Sequence, residues 1–474
     1  MFRRILAHEW RMLTSDATVW TLIAIFALSI GYGTLNGARW TRFQHDAISQ
    51  AEREERDRLA AHQATIVAAN TGTSKVSPFL DPRNPEVAGR RLAGRYAVMP
   101  PAPLAALSIG QSDLLPYYFK MTTDAKETVT AGAELENPQR LLAGRFDLAF
   151  VIIYLYPLLI LAISYNLLSA EKEQGTLALV LSQPVALRTL ALAKVTLRLL
   201  LFLATIGALA TIALLAAGVD LGNGGVRFAL WFAAVAVYGL FWFGLASAVA
   251  SLGRPSATNA MTLAAIWLAL VVLLPSMFNL LATTVYPVPS RVEMVQAVRE
   301  ASDEANGQGS VLLSKYYEDH PELAAGGAEQ AMNDFNVIRV AVNAEVERRV
   351  RPVMDQYGRQ LVAQQSVIDR LRFLSPAVLM QDALYDISGT GAGRHRHFMA
   401  QVSAYHETWR GYFVPLIFRK AQLSTLADIP RFRFQDEPFD RTIARVATAL
   451  GGVLLPGVAL FVFGLRALRR YKVA

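Results

Sequence analysis

The chain contains no cysteine among its 474 residues. This absence excludes disulfide bonds, thiolate metal sites and thiol nucleophiles, but it assigns no compartment. Charged residues are also scarce, because they make up 18% of the chain against about 25% in ordinary globular proteins. Apolar residues make up 53% and are gathered in long blocks. The composition therefore indicates a membrane protein rather than several soluble domains.

The sequence also lacks the motifs of common catalytic and nucleotide-binding sites. It has no G-x-x-x-x-G-K-[ST], no H-E-x-x-H and no nucleophile elbow. His395 and His397 lie two residues apart in "GRHRHF", where no third ligand is near, so we interpret them as a solvated basic loop rather than a metal site. We therefore expect no enzyme activity, metal or cofactor on this chain.

Six charge-free windows are long enough to cross a bilayer as helices. A helix rises 1.5 Å per residue, so about 20 apolar residues cross a hydrocarbon core of about 30 Å. Buried core helices of a large soluble protein are the alternative, and six separate windows argue against it. The predicted transmembrane segments are residues 17–38, 147–170, 192–219, 228–252, 259–286 and 441–466.

Basic residues next to these segments predict the orientation. If both termini are cytoplasmic, the basic groups of the short loops fall on the cytoplasmic side, as the positive-inside rule requires. This topology accounts for the net charge of +8 without nucleic acid as a partner. We expect the chain to lie in a bacterial inner membrane. Arg198 and Arg227 lie at segment ends, where we expect them to snorkel, and we predict no relay of buried acids. The basic residues are Arg3, Arg4, Arg11, Lys172, Arg188, Lys194, Arg198, Arg254, Arg466, Arg469, Arg470 and Lys472.

Residues 1–16 have the pattern of an amphipathic helix. Apolar side chains fall on one helical face and basic ones lie elsewhere. We expect this helix to lie in the lipid interface on the cytoplasmic side, rather than to be a removed signal peptide. The apolar face consists of Phe2, Ile5, Leu6, Trp10 and Leu13.

Two long insertions are predicted on the external, periplasmic side, residues 39–146 and residues 287–440. The first begins as a continuation of the first membrane helix, with Glu52–Arg56 and Glu54–Arg58 as i,i+4 pairs on a solvated face. After Asn70 its prolines predict loops and short strands. The remaining connections are a short external loop at 220–227, a cytoplasmic loop at 253–258 and a cytoplasmic tail at 467–474.

The second insertion is predicted to be mainly helical. An apolar stripe at intervals of four residues predicts the packing face of a long helix, which Pro352 should kink or interrupt. We expect the two insertions to form one largely helical external domain. The fold class is therefore mainly α, a polytopic membrane protein with six transmembrane helices. The stripe consists of Ile338, Val342, Val346, Val350 and Met354.

A polar, turn-marked stretch between the second and third transmembrane segments carries a longer pattern. The stretch "EKEQGTLALVLSQPVALRTLALAK" (171–194) resembles the pattern of ABC-2 type transporter permeases. Stretches at 101–121 ("PAPLAALSIGQSDLLPYYFKM"), 137–150 ("NPQRLLAGRFDLAF"), 374–391 ("LSPAVLMQDALYDISGTG") and 396–409 ("RHFMAQVSAYHETW") look like the ABC-2 subfamily with the DUF3526 region. The residues that match the permease pattern are Glu171, Glu173, Gly175, Thr176, Leu177, Ser182, Pro184, Arg188 and Lys194.

This resemblance implies that two permease subunits, as a homodimer or heterodimer, form a membrane pathway. Each subunit would dock a separate cytoplasmic ABC ATPase, which holds the ATP and magnesium, through a coupling helix in residues 171–191 (the cassette). The alternative for the cassette is a helix-turn that joins two membrane helices and leaves its acids solvated. The implied docking residues are Glu171, Lys172, Glu173, Gln174, Gly175, Thr176, Pro184 and Arg188.

Individual cassette residues suit this role. We expect Glu171 and Glu173 to pair with basic groups on a partner, while Gly175 permits a tight turn. Thr176 is expected to cap the following helix, which Pro184 ends. The leading function is thus an exporter permease driven by separate ATPases. The alternative is a non-transporting mechanotransducer that acts on a periplasmic partner. A third hypothesis, an intramembrane enzyme, is disfavoured because the sequence offers no set of catalytic residues.

Overall fold

A computed structural model of the protein is mainly helical (79%). It describes residues 2–73, 75–126, 129, 146–183, 186–216, 218, 221–324 and 334–471. Pro184, Lys472 and most of the 137–150 stretch, which entered the predictions above, lie outside these residues.

Thirteen longer helices, numbered here in chain order, and one small sheet organise the described residues. The helices are α1 (Phe2–Ser15), α2 (Ala17–Asn70), α3 (Leu148–Glu173), α4 (Leu177–Leu181), α5 (Leu187–Ala216), α6 (Leu221–Ala250), α7 (Ser256–Val285), α8 (Arg291–Gly307), α9 (Gly309–Asp319), α10 (Phe335–Leu371), α11 (Pro376–Ser388), α12 (Ala392–Phe418) and α13 (Phe439–Ala467). The antiparallel sheet pairs β1 (Tyr96–Val98) with β2 (Tyr118–Lys120). Shorter helical turns are Pro78–Leu80, Pro85–Val87, Ala88–Leu92, Ala105–Leu107, Pro321–Ala324, Arg372–Leu374 and Leu468–Arg470.

Within the described part of the chain, six helices are long and apolar enough to cross a membrane. They are α2, α3, α5, α6, α7 and α13, and together they form the bundle. The expectation of six candidate membrane helices is confirmed, which indicates a membrane protein. Helix α6 begins at Leu221, so most of the predicted loop at 220–227 is helical. The prediction began this segment at Phe228, directly after Arg227, whereas a helix continues for as long as its backbone hydrogen bonds do.

Helices α6 and α13 cross with their backbones in close contact. A Cβ atom added to Gly244 would lie 2.6 Å from the carbonyl oxygen of Gly457, and one added to Gly457 would lie 2.9 Å from the Cα of Phe241. A Cβ atom added to Gly464 would lie 3.0 Å from the backbone carbonyl carbon of Ser247. Small residues let membrane helices approach this closely, so van der Waals packing holds the centre of the bundle.

Helix α2 runs without interruption from the bundle into the first insertion. Its 54 residues correspond to a rod of about 80 Å, and it ends at Asn70, as the sequence predicts. The predicted pair Glu54–Arg58 is not the contact that forms, because Arg58 donates to the carbonyl of Gly94. The neighbouring Glu55 pairs with Arg95 at 3.1 Å. This face of α2 therefore binds residues of the first insertion and is only in part exposed to solvent.

Residues of the two insertions share one hydrophobic cluster. Ile66 and Phe119 of the first insertion belong to it together with Val346 and Trp409 of the second. The Nε1 of Trp409 also donates to the carbonyl of Gly89 at 3.0 Å. The two segments therefore fold as one unit, which we call the insertion unit.

The predicted packing stripe on α10 is confirmed over its first half, where Val342, Val346 and Val350 are buried. Pro352 does not interrupt the helix, which runs on to Leu371. Proline removes one backbone hydrogen bond, and here the ring lies on the exposed side of a helix whose other face is packed. Tertiary packing therefore outweighs the local break.

One expectation about the insertions is wrong, and one helix of the second insertion makes a contact that the sequence did not predict. His395 and His397 lie in the first turns of α12 rather than in a loop. The Nε2 of His395 meets the carbonyl oxygen of Pro116 at 3.0 Å, and burial lowers the pKa of this imidazole. Helix α11, which was assigned to the external insertion, packs into the hydrophobic cluster of the bundle through Leu379, Met380 and Leu384.

The close crossing of α6 and α13 gives a test with an internal control. Gly457→Ala should lower the melting temperature in detergent, because the new methyl group overlaps the α6 backbone and overpacking costs about 1–3 kcal/mol. Gly451→Ala lies on the same helix with no atom within 4 Å of the added Cβ, so it should leave the melting temperature equal or higher. Equal melting temperatures for the two variants would contradict the close crossing.

Candidate functional site

The cassette folds as a helix end, a glycine turn and a short helix. The last segment of α3 ends at Glu173, and Gly175 follows with a φ of 71°. A left-handed glycine just past a helix end is a common stop signal, because it has no Cβ to strain. The amide of Thr176 then donates to the carbonyl of Glu171 at 2.9 Å, which closes the turn. The prediction of a tight turn at Gly175 is therefore confirmed.

The side chain of Thr176 hydrogen-bonds to the preceding helix, α3. Its Oγ1 donates to the carbonyl oxygen of Glu171 at 3.3 Å, whereas we had expected it to cap α4. A hydroxyl three residues past the end of a helix can satisfy an open carbonyl there, and that is the contact formed. The turn is thus fixed by contacts with α3, and α4 follows it.

Glu173 caps the first turn of a distant helix. Its Oε1 accepts from the backbone amide of Ser256 at 2.6 Å, and its Oε2 accepts from the Ser256 hydroxyl at 2.9 Å. Ser169 adds a hydroxyl contact to Ser256 at 2.7 Å. Ser256 begins α7, where open amides and the helix dipole favour a carboxylate. The cassette is therefore attached to the start of α7.

Glu171 pairs with a buried lysine on α5. Its Oε1 contacts the Nζ of Lys194, and the same Nζ donates to the carbonyl of Leu167 at 3.1 Å. Lys194 is buried, while Glu171 is half-buried at the edge of the bundle. This ion pair joins the end of α3 to the first turns of α5.

Glu9 of α1 completes the charge cluster. Its Oε1 lies 3.4 Å from the Nζ of Lys194, and its Oε2 lies 3.9 Å from the Nη2 of Arg198. Arg198 also donates to the carbonyl of Ile163. The expectation that Arg198 snorkels to the membrane surface is wrong, because a buried acid and a carbonyl hold its guanidinium inside.

The four charges cancel within the cluster. Glu9 and Glu171 are acids, and Lys194 and Arg198 are bases, so full ionisation leaves no net charge. Buried charges are tolerated when they are paired and hydrogen-bonded, whereas removing one partner leaves a costly isolated charge. We call Glu9, Glu171, Lys194 and Arg198 the charge cluster, and it joins α1, α3 and α5 at one point.

A small apolar cluster lies beside these charges. It unites Leu177 and Leu181 of α4 with Leu187 of α5, Ile5 of α1 and Leu468 near the end of the chain. The Nζ of Lys172 lies 5.7 Å from the ring centre of Tyr471, which is cation–π distance. The cassette is thus packed on its inner side by both ends of the chain.

The outer side of the cassette remains exposed. Gln174, Gly175, Thr176 and Ala178 are exposed, and Leu179 exposes 72% of its surface. Arg188 is half-buried on α5, and Pro184 lies outside the described residues. Of the predicted docking residues, Glu171 and Glu173 thus have partners within this chain, and the glycine turn remains available.

Sequence reasoning missed two important residues of this site. Glu9 was not singled out, although it lies on the apolar face of α1 between Ile5 and Leu13, at spacings of four. An acid at that position was a usable signal for a buried partner. Ser256 carried no such signal, because its contact with Glu173 spans 83 residues.

Comparison with known proteins identifies one region of the chain. Residues 291–435 match the family model described as "Domain of unknown function (DUF3526)". No curated protein matches the chain. Among the described residues, no group of three or more His, Asp or Glu side chains is arranged to hold a metal ion.

Lys194→Met tests the charge cluster. Loss of the ammonium leaves Glu9 and Glu171 close together without their shared partner, and breaking a buried pair costs about 3–5 kcal/mol. We expect a clear drop in the melting temperature in detergent. Lys315→Met, on the exposed surface of α9, is the matched control and should cause little change. A drop no larger than that of the control would contradict the structural role of Lys194.

Glu173→Ala tests the attachment to α7. The substitution removes the acceptor of the Ser256 amide, and loss of a helix cap costs about 0.5–2 kcal/mol. Hydrogen exchange at Ser256 and the next residues of α7 should therefore become faster. Glu300→Ala on the exposed surface of α8 should leave exchange in α7 unchanged. Unchanged exchange at Ser256 in Glu173→Ala would show that this cap does not hold α7.

Proposed function

We propose that the chain is the permease subunit of an ATP-driven ABC-2 type exporter, powered by separate ATPase subunits. The observation that carries this proposal is the anchored glycine turn at 174–176, which both acids of the cassette fix to the bundle. The sequence has no Walker motif, so energy from ATP has to reach the bundle from another chain.

The anchored geometry supports different roles for the cassette residues from those that the resemblance implies. Glu171 and Glu173 hold the cassette to α5 and α7, and they are not themselves the docking contacts. The ATPase would instead contact the exposed turn at 174–176 and the side chain of Leu179. An exposed leucine on a short helix suits a shallow apolar pocket on a partner, because its burial there removes apolar surface from water.

A displacement of the turn would then be transmitted to three helices, to two of them through a single contact. Glu173 connects it to the start of α7 through Ser256, and Glu171 connects it to α5 through Lys194. Lys194 carries the connection on to α1 through Glu9. Charge-assisted hydrogen bonds suit this role, because they are short and directional.

The orientation follows from the distribution of basic residues. Both termini and the cassette would be cytoplasmic, and the insertion unit would lie on the periplasmic side of a bacterial inner membrane. A second copy or a related permease would complete the membrane pathway. The DUF3526 match at residues 291–435 lies in the second insertion and includes two of the four stretches that carry the subfamily resemblance, 374–391 and 396–409.

A mechanotransducer is a second candidate, favoured by one observation. Helix α2 runs as one rod of 54 residues from the bundle into the insertion unit, so it can act as a lever. Motion that begins at the cassette would then displace the insertion unit and act on a periplasmic partner. No solute needs to cross the membrane in that case.

Leu179→Asp tests the proposed docking surface. The tagged chain is purified from its native membrane, and the amount of co-purifying ABC ATPase is measured. We expect the amount of co-purifying ATPase to fall at least tenfold, because a carboxylate in an apolar contact leaves an unpaired charge. Val311→Asp, at an equally exposed position of the insertion unit (69% exposed), should retain the ATPase. Full retention by Leu179→Asp would exclude Leu179 as a docking contact.

Reconstitution of the purified complex separates the two candidate functions. With ATP present, movement of a solute across a sealed proteoliposome would support export. ATP hydrolysis with motion of the insertion unit and no solute movement would support the mechanotransducer. If neither the wild-type chain nor its complex shows associated ATPase activity, both candidates fail.

A further inference from the structure

The end of α10, the turn at Arg372–Leu374 and helix α11 fold back as a helical hairpin (residues 364–388, the hairpin). Its sequence lies in the second insertion, yet the apolar side chains of α11 belong to the hydrophobic cluster of the bundle. The question is how far the hairpin enters the bilayer. Two membrane helices provide independent measures of that depth.

Helix α7 provides the first measure. The Nε2 of Gln364 donates to the carbonyl of Tyr286 at 2.6 Å, just past the end of α7. The hydroxyl of Ser375 donates to the carbonyl of Leu270 at 2.7 Å, near the middle of α7. Tyr286 and Leu270 are 16 residues apart, or about 24 Å along a helix. The hairpin therefore descends from the end of α7 to about its midpoint.

Helix α13 gives the same result from another side. Arg445, at the edge of the apolar segment, pairs with Asp386 at 2.8 Å. Seven residues further along α13, about 10 Å deeper, Gly452 has Phe373 and Leu379 against it. Helix α11 thus runs antiparallel to α13, and its first residues are the deepest.

Three charged side chains of the hairpin lie close together. Arg372 is 3.4 Å from Asp369 and 3.3 Å from Asp382. Asp369 lies between Gln364 and Ser375 in the chain, and Asp382 lies between Leu379 and Asp386. Both acids therefore lie deeper than the ends of the membrane helices. Their side chains are nevertheless partly exposed, by 45% for Asp369 and 38% for Asp382.

Lipid is an unsuitable neighbour for these carboxylates. An exposed arginine at this depth, such as Arg370, can reach towards water along its long stem, but an aspartate has a single methylene group. Ionisable residues at this depth face water-filled cavities or protein rather than lipid tails. Arg372 is one cation for two acids, and Gln365 adds one neutral donor to Asp369 at 3.2 Å, so part of the solvation of the two carboxylates has to come from elsewhere.

We propose that a water-filled vestibule runs along the hairpin, opens at the insertion end of the bundle and reaches the level of Asp369 and Asp382. It would provide a polar route through the outer half of the bilayer, with a wall formed by Asp369, Arg372 and Asp382. A second protein copy lying against these residues is the alternative. The vestibule follows from the position of the hairpin and does not depend on the proposed transport.

The cysteine-free chain permits a direct test by thiol accessibility. Asp369→Cys and Asp382→Cys are treated in sealed membranes with a charged, membrane-impermeant maleimide, added from the side on which Val311→Cys reacts. Thiols react as thiolates, which require water. Leu280→Cys is the depth-matched control, because Leu280 lies six residues below Tyr286 on α7 and is 66% exposed.

We expect Asp369→Cys and Asp382→Cys to react at least tenfold faster than Leu280→Cys, and at a rate within tenfold of Val311→Cys. Reaction as slow as that of Leu280→Cys, with full labelling after unfolding in detergent, would overturn the vestibule. If either variant fails to insert, Arg370→Cys takes its place, because it leaves both carboxylates and Arg372 intact. The outcome is independent of any transport or ATPase measurement.

Discussion

The buried ammonium of Lys194 is the contact on which the cassette end of this protein depends. It meets carboxylates from two directions, Glu171 from the end of α3 and Glu9 from α1, and it also donates to the carbonyl of Leu167. Three separate parts of the chain therefore meet at one nitrogen atom. A charge at this depth is stable only with its partners in place, so the position of α1, the end of α3 and the start of α5 are determined together.

Glu173 extends this arrangement to α7 and changes the interpretation of the cassette. A solvated connection between two membrane helices would leave its acids free, whereas both acids here bind within the chain. The surface left for a partner is the glycine turn and Leu179, which are exposed beside the anchored residues. Anchoring acids next to an exposed turn are what a coupling element requires, because a load applied to the turn is passed on rather than absorbed by a loose loop.

Features with a local signal could be predicted from the sequence. The charge-free windows indicated six candidate membrane helices, the mixed charges after residue 50 indicated that α2 continues, and Gly175 indicated a tight turn. Features that depend on distant contacts could not be predicted from the sequence. Nothing near Ser256 indicates a carboxylate 83 residues earlier, and α11 is too short and too close to charged residues to resemble a membrane segment, so its entry into the bundle is visible only in three dimensions. Glu9 is intermediate, because its position on an apolar helical face was visible but its partners were not.

A double-mutant cycle on Glu171 and Lys194 tests the central claim most directly. Glu171→Gln, Lys194→Gln and the double variant are unfolded in detergent with no ATPase present, and the free energies of unfolding are compared. We predict that the two substitutions are not additive, with a coupling energy of about 0.5–3 kcal/mol, as is typical of residues in direct contact. Additive effects would contradict this account, because Glu171 would then be a solvated residue that is free to bind a partner.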